Sequence, residues 1–212
     1  MKIVGLIVFA YLVGSFPSAL IVGRLARGID IRRHGSGNMG ATNVFRVLGA
    51  RWGLVVAALD IVKGFLPAFF FVRWGVESST IDPLYQQIAY GLAAVLGHVF
   101  TVFGGFRGGK GVLTGLGVLL ALMPLEAGIA VLVFVLIFAA FRIVSLGSLV
   151  SAAALCAFVI IEKYFLARPV RQELVLTCLL LFVLVLVTHR SNIERLMAGA
   201  EPRFRKSKGR PD

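Results

Sequence analysis

Polar residues in this chain are confined to short stretches between long apolar runs. Residues 3–23, 52–73, 84–103, 143–161 and 172–188 each approach the roughly 20 apolar residues that a helix rising about 1.5 Å per residue needs to cross a bilayer. The apolar stretch 111–141 is too long for one untilted helix and short for two. Met123-Pro124-Leu125-Glu126 divides it, because proline ends one helix and a charge belongs at the bilayer surface. Two short spans make seven in all. The first run resembles a signal peptide only in part: Lys2 is its one early charge, and the apolar stretch runs past Phe16-Pro17-Ser18-Ala19. It reads as a retained span.

Composition narrows the class. Of 212 residues, 58% are hydrophobic and 15% charged. That excludes a disordered chain, a disulfide-stapled secreted domain and an ordinary soluble enzyme, which is about a quarter charged. Cys156 and Cys178 lie inside apolar runs, and the three histidines are far apart, so neither a disulfide nor a metal framework is expected. The net charge of +12 fits an anionic leaflet or an anionic substrate. Nucleic acid is not an expected partner, since no soluble domain remains to bind it.

The placement of charge orients the spans. With seven spans and the N-terminus outside, one side carries Arg24, Arg27, Arg32, Arg33, Arg46, Arg51, Arg107, Lys110 and Arg142. The basic C-terminal residues fall on that same side. Such a bias marks the cytoplasmic face. The expected architecture is an all-α integral membrane protein with seven transmembrane helices, the N-terminus outside and the C-terminus cytoplasmic. One polytopic domain covers 1–200, and a basic tail covers 201–212.

Three polar clusters fall on that face. The first is Arg33-His34-Gly35-Ser36-Gly37-Asn38-Met39-Gly40-Ala41-Thr42-Asn43, followed by Arg46. It offers a hydroxyl at Ser36, amides at Asn38 and Asn43, and a bidentate phosphate ligand at Arg46. The same residue types also cap helices, and this stretch alone does not separate the two roles. The second runs from Gly97-His98 through Gly104-Gly105-Phe106-Arg107-Gly108-Gly109-Lys110-Gly111. Its glycines predict a nest of inward N–H groups for an anion, with Arg107, Lys110 and a following helix N-terminus adding charge. It matches a nucleotide-binding loop until Gly111, where Ser or Thr would be needed for magnesium, so the nucleotide reading fails while a phosphate site survives. The third is Thr188-His189-Arg190-Ser191-Asn192-Ile193-Glu194-Arg195-Leu196, ending at Gly199 and Glu201. It sets His189 at the membrane boundary with Asn192 one turn on.

Other polar residues are less diagnostic. His98 is expected to tie a loop by hydrogen bonding, and His34 to be solvated. Asp60 and Lys63 stand i, i+3 inside a span and read as a structural pair or a support for the site. Ser145 and Ser148 open the sixth span at the same face, where they cap it or touch substrate. An organic-anion carrier is the competing class, but carriers show paired repeats with broken helices at mid-membrane, whereas polar density here is one-sided.

Together the clusters resemble the bacterial membrane glycerol-phosphate acyltransferases that use acyl phosphate, the PlsY family. The likeness rests on Gly35-Ser36-Gly37-Asn38-x-Gly40-Ala41-Thr42-Asn43, on Gly97-His98-x-Phe100 with Gly105-Phe106-x-Gly108-Gly109-Lys110-Gly111, and on Thr188-His189-Arg190-x-Asn192-Ile193-x-Arg195-Leu196. Asp60-x-x-Lys63-Gly64 and Gly14-Ser15-Phe16-Pro17-Ser18 share it, and Thr101 departs from it where the family has proline. The resemblance implies acyl transfer from acyl phosphate to the first-position hydroxyl of sn-glycerol 3-phosphate, giving lysophosphatidic acid and inorganic phosphate. This would occur at the cytoplasmic side of the bacterial inner membrane, without a cofactor or metal. It implies catalytic roles for Ser36, Lys110, His189 and Asn192. Substrate binding would fall to Gly37, Asn38, Thr42, Asn43, Arg46, Gly105, Arg107, Gly108, Gly109, Ser145 and Ser148. Acyl phosphate, glycerol 3-phosphate and the bilayer are the implied partners; transient contact with a soluble enzyme that makes acyl phosphate stays open.

Overall fold

A computed structural model describes residues 2–75 and 80–204, which are helical with no strand among the described residues. The helices are α1 (Lys2–Gly14), α2 (Ser18–Arg27), α3 (Ala41–Leu48), α4 (Ala50–Gly75), α5 (Pro83–Val99), α6 (Val112–Leu122), α7 (Pro124–Phe141), α8 (Val144–Tyr164), α9 (Gln172–Thr188) and α10 (Arg190–Met197). The division at Met123-Pro124 is where the apolar pattern placed it.

Five segments among the described residues are long and apolar enough to cross a membrane: Lys2–Arg27, Ala50–Trp74, Pro83–Gly104, Pro124–Phe141 and Val144–Tyr164. The pair α9 and α10, bent by 65°, makes a sixth if counted as one span. The seventh expected span meets a physical limit. The 11 residues of α6 rise only about 16 Å, roughly half a hydrocarbon core.

Small residues set the packing. Alpha4 lies chiefly on α6, α1 on α5, and α7 on α8. A Cβ at Gly64 would stand 2.1 Å from the Thr114 carbonyl oxygen, and one at Gly117 2.0 Å from that of Ile61. The backbones of α4 and α6 therefore touch, as membrane helices do when glycine lines the seam. Alpha7 buries only Ala127 and presents most of its surface outward, as a lipid-facing wall.

The first run stands as one candidate span, Lys2–Arg27, with its helix interrupted between Gly14 and Ser18. Pro17 frees backbone groups there, and side chains from other helices take them up. Thr101 Oγ1 donates to the Ser15 carbonyl at 2.5 Å, and Lys63 Nζ to the Phe16 carbonyl at 3.0 Å. A proline at position 101 has no hydroxyl to give, so the departure from the family pattern supplies a hydrogen bond here.

Candidate active site

The first polar cluster folds around Asn43. Its Oδ1 accepts the Ser36 N–H at 2.9 Å, and its Nδ2 reaches the carbonyls of Ile31, His34 and Asn38. With its donors spent and its side chain buried, Asn43 is the spindle of the loop. Asn38 Oδ1 accepts the Gly40 N–H at 2.9 Å, which turns the chain into α3. No side chain caps that helix, so its N-terminus and Thr42 are left to face a cavity, with Arg46 one turn further on.

The glycine-rich cluster departs from the nest. Gly108 donates its N–H to the Val99 carbonyl at 3.0 Å, and Gly109 to that of His98 at 3.1 Å. Those N–H groups fasten the loop back on the end of α5 and are not offered to an anion. The loop delivers Lys110 and the N-terminus of α6 to the cavity through Gly111, Val112 and Leu113. Thr188 Oγ1 holds the Lys110 carbonyl at 3.0 Å.

The third cluster is a bend. Alpha9 ends at Thr188 and α10 starts at Arg190, with His189 between them, buried, its Nδ1 2.8 Å from the Val185 carbonyl. Donation from Nδ1 leaves Nε2 as the acceptor nitrogen. Asn192 is held from both sides: Lys110 Nζ donates to its Oδ1, and its Nδ2 donates to Glu201 Oε1 at 2.6 Å. Glu201 also accepts from Ser145 at 2.7 Å and from Arg195 at 2.7 Å.

The result is a cavity of about 610 Å³. It gathers Ser36, Asn38, Thr42, Asn43, Arg46, Lys110, Ser145, Ser148, His189 and Asn192 of the residues the sequence nominated. It does not gather Gly37, Gly105, Arg107, Gly108 or Gly109; Gly105 and Arg107 lie exposed on the outer side of their loop. Among the further residues that line it, two bear on the expectations from sequence. His98 sits there with Asp60, its Nδ1 without a hydrogen-bond partner and 3.7 Å from Asp60 Oδ1, so the side chain does not tie the loop in the expected way. Glu201 is the other, and the expected boundary at 200 therefore falls inside the folded unit. Glu201, Pro202 and Phe204 line the cavity, the Phe204 N–H reaches the Arg142 carbonyl at 2.6 Å, and the Phe204 ring meets Phe45 and Phe138 edge-on. The tail beyond 204 lies outside the described residues.

The electrostatics favour an anion. Arg46, Lys110 and Arg195 face the single carboxylate of Glu201, while Asp60 is paired 2.8 Å from Lys63. Burial, opposed by Glu201 and helped by Arg195 and Arg46, lowers the Lys110 ammonium to about 8. Burial alone would raise the Glu201 carboxyl, but hydrogen bonds from Ser145, Asn192 and Arg195 outweigh it and hold it below its ordinary value. No group of three or more His, Cys, Asp or Glu able to hold a metal occurs among the described residues.

A second, apolar cavity of about 330 Å³ continues from the first between α6, α7, α8 and α9. The two share Lys110, Gly111, Val112, Leu113, Phe134 and Ser148. Gly115, Ala130 and Ala152 keep it open, and Leu119, Leu155 and Cys178 line it further from Lys110.

Comparison with known proteins covers nearly the whole chain. The family model described as glycerol-3-phosphate acyltransferase matches residues 4–199. The glycerol-3-phosphate acyltransferase of Myxococcus xanthus is 46% identical over 199 residues, covering 94% of this chain and 98% of that one. That of Chlorobaculum tepidum is 39% identical over 220 residues, covering 94% and 95%. Among solved structures, PlsY (YgiH), an integral membrane glycerol 3-phosphate acyltransferase, superposes in its glycerol 3-phosphate form with a TM-score of 0.85 at 38% identity. That match covers 97% of this chain and 96% of that one. Its lysophosphatidic acid form gives 0.83 at the same identity.

Proposed function

We propose, on the premise that this chain belongs to the glycerol-3-phosphate acyltransferase family, that it moves a fatty acyl group from acyl phosphate to the first-position hydroxyl of sn-glycerol 3-phosphate. The products are lysophosphatidic acid and inorganic phosphate. One observation carries the reading: a cationic cavity adjoins an apolar one, and Lys110 with the N-terminus of α6 stands in the wall they share. An acyl chain takes the apolar side, which places its phosphate head at the junction. Glycerol 3-phosphate takes the polar side, among Ser36, Thr42, Arg46 and Asn192, close enough for Lys110 to serve both phosphates. In this reading the N-terminus lies outside and the cavity faces the cytoplasm of a bacterial inner membrane, an orientation that the bias of basic residues toward those loops supports. Counting α6 as half a crossing completed with its flanking loop gives seven passages.

The hydroxyl attacks the acyl carbonyl carbon, the new ester C–O bond forms, and the C–O bond to phosphate breaks. Acyl phosphate is a mixed anhydride with its own good leaving group, so the enzyme needs no acylated side chain. Lys110, Arg46 and the α6 N-terminus face the oxygens on which charge grows. The hydroxyl proton passes to a phosphate oxygen of the substrates. His189 is not given the proton in this scheme because no carboxylate among the described residues hydrogen-bonds its ring; the Val185 carbonyl holds Nδ1, and Nε2 is the nitrogen that the His189→Gln variant tests. The test supplies sn-glycerol 3-phosphate and palmitoyl phosphate to protein in lipid and identifies the product by mass spectrometry and acyl position. The expected product is 1-palmitoyl lysophosphatidic acid with one phosphate released per acyl group. His189→Gln is expected to keep turnover within about tenfold; a fall of about 10²–10⁴ would make His189 the general base instead.

A further inference from the structure

One buried cluster on the cavity wall has no part in that reaction scheme. Ser18 of α2, Asp60 and Lys63 of α4, and His98 of α5 meet there, none more than 6% exposed. Asp60 Oδ1 accepts from Ser18 Oγ at 2.5 Å and pairs with Lys63 Nζ at 2.8 Å. Lys63 also reaches the Phe16 carbonyl where the first run is broken. A buried ion pair is weak support for stability, since an apolar pair of like volume often serves as well. The contacts this one makes point elsewhere.

His98 stands between the pair and the glycine-rich loop. Its Nδ1 faces Asp60 Oδ1 at 3.7 Å. The opposite edge of its ring lies against Gly109, where a Cβ would come within 2.1 Å of Nε2 and 2.6 Å of Cε1. Its own carbonyl accepts the Gly109 N–H, and a Cβ at Gly108 would stand 1.9 Å from that same oxygen. The next residue is Lys110. The imidazole is thus a strut between a fixed carboxylate and the backbone that carries the cavity's central cation.

We infer that Asp60 and His98 are positioning residues for the phosphate site: Asp60, fixed by Ser18 and Lys63, sets the His98 ring, and the ring sets the Gly108–Gly109 turn so that Lys110 reaches glycerol 3-phosphate. This rests on the proposed role of Lys110, and its test keeps the two apart. A positioning role acts through Lys110 and disappears when Lys110 is gone, whereas a structural role adds to any other loss.

The measurement is equilibrium affinity for labelled glycerol 3-phosphate in lipid nanodiscs, on protein shown to be folded. His98→Asn removes the strut. Asp60→Asn with Lys63→Met removes its anchor without leaving a buried charge unpaired. Each is expected to weaken affinity about tenfold in the native background, and less than about twofold when added to Lys110→Ala. Losses that multiply in both backgrounds overturn the positioning role and leave the proposed function standing. Failure of both variants to fold assigns the cluster to the scaffold alone and also overturns it. An unchanged affinity in Lys110→Ala by itself overturns the reading of the cavity on which the inference rests.

Discussion

Replacing Lys110 by alanine is expected to lower acyl transfer about a thousandfold while the helices stay folded. The side chain sits where the cationic and apolar cavities meet, so in the proposed scheme it touches the acyl phosphate head and faces the oxygens that gain charge as the C–O bond breaks. Removing one preorganised charge at such a point costs about 10²–10³ in turnover, and alanine here also deprives glycerol 3-phosphate of a ligand. The fold does not depend on the ammonium, because the Lys110 carbonyl, which Thr188 holds, survives the substitution. The ammonium at about 8 gives the expected pH dependence its sign. Lys110 is charged below that value and loses its charge above it, so KM for glycerol 3-phosphate rises as pH passes upward through about 8 in the native protein. Lys110→Arg, whose guanidinium stays protonated, removes that alkaline rise. Initial rates across pH 6.5–9.5 check both. A KM flat across that range would show that Lys110 does not titrate in contact with substrate.

The second large effect belongs to Glu201. Its carboxylate gathers Ser145 of α8 with Asn192 and Arg195 of α10, and Asn192 in turn holds Lys110. Glu201→Ala leaves those donors without an acceptor and removes the one anion facing three cations. The expected loss is about 3 kcal/mol, less than for a wholly buried pair because the Arg195 side chain is 43% exposed. In a chain of this size that is roughly a 6–12 °C lower melting temperature. Glu201→Gln keeps an acceptor for Ser145 and Asn192 and is expected to be milder in stability. It still removes the negative charge that raises the Lys110 ammonium, so the alkaline rise in KM moves to lower pH. Thermal unfolding and the KM profile of the two variants separate the packing role from the electrostatic one.

Much of this was legible from the order of apolar and polar residues. The division at Met123-Pro124 followed from proline and a charge, and the three clusters met in one cavity because helix ends on one face have few other places to go. One break was hidden by the same apolar pattern. The helix interruption at Pro17 does not show in that pattern because the groups that compensate for it, Thr101 and Lys63, come from distant parts of the chain. Alpha3 and α10 do not stand out in the apolar pattern, since Asn, Thr, Ser and Arg at the ends of spans resemble turn residues even where they build short amphipathic helices. The glycines of residues 104–111 predict an anion nest, but backbone N–H direction depends on tertiary contacts, here with His98 and Val99. Glu201 drew no role because it opens a stretch of basic residues that composition assigns to a solvated tail. The signal was a lone carboxylate a short helix beyond Asn192.

The most direct test of the central claim is phosphate release by the purified protein in lipid, given sn-glycerol 3-phosphate and either palmitoyl phosphate or palmitoyl-CoA. Release and lysophosphatidic acid with palmitoyl phosphate alone, lost in Lys110→Ala, is the predicted result. Equal or faster acylation from palmitoyl-CoA would contradict it, because a donor that leaves as a thiol makes no use of a phosphate head bound at the junction of the two cavities.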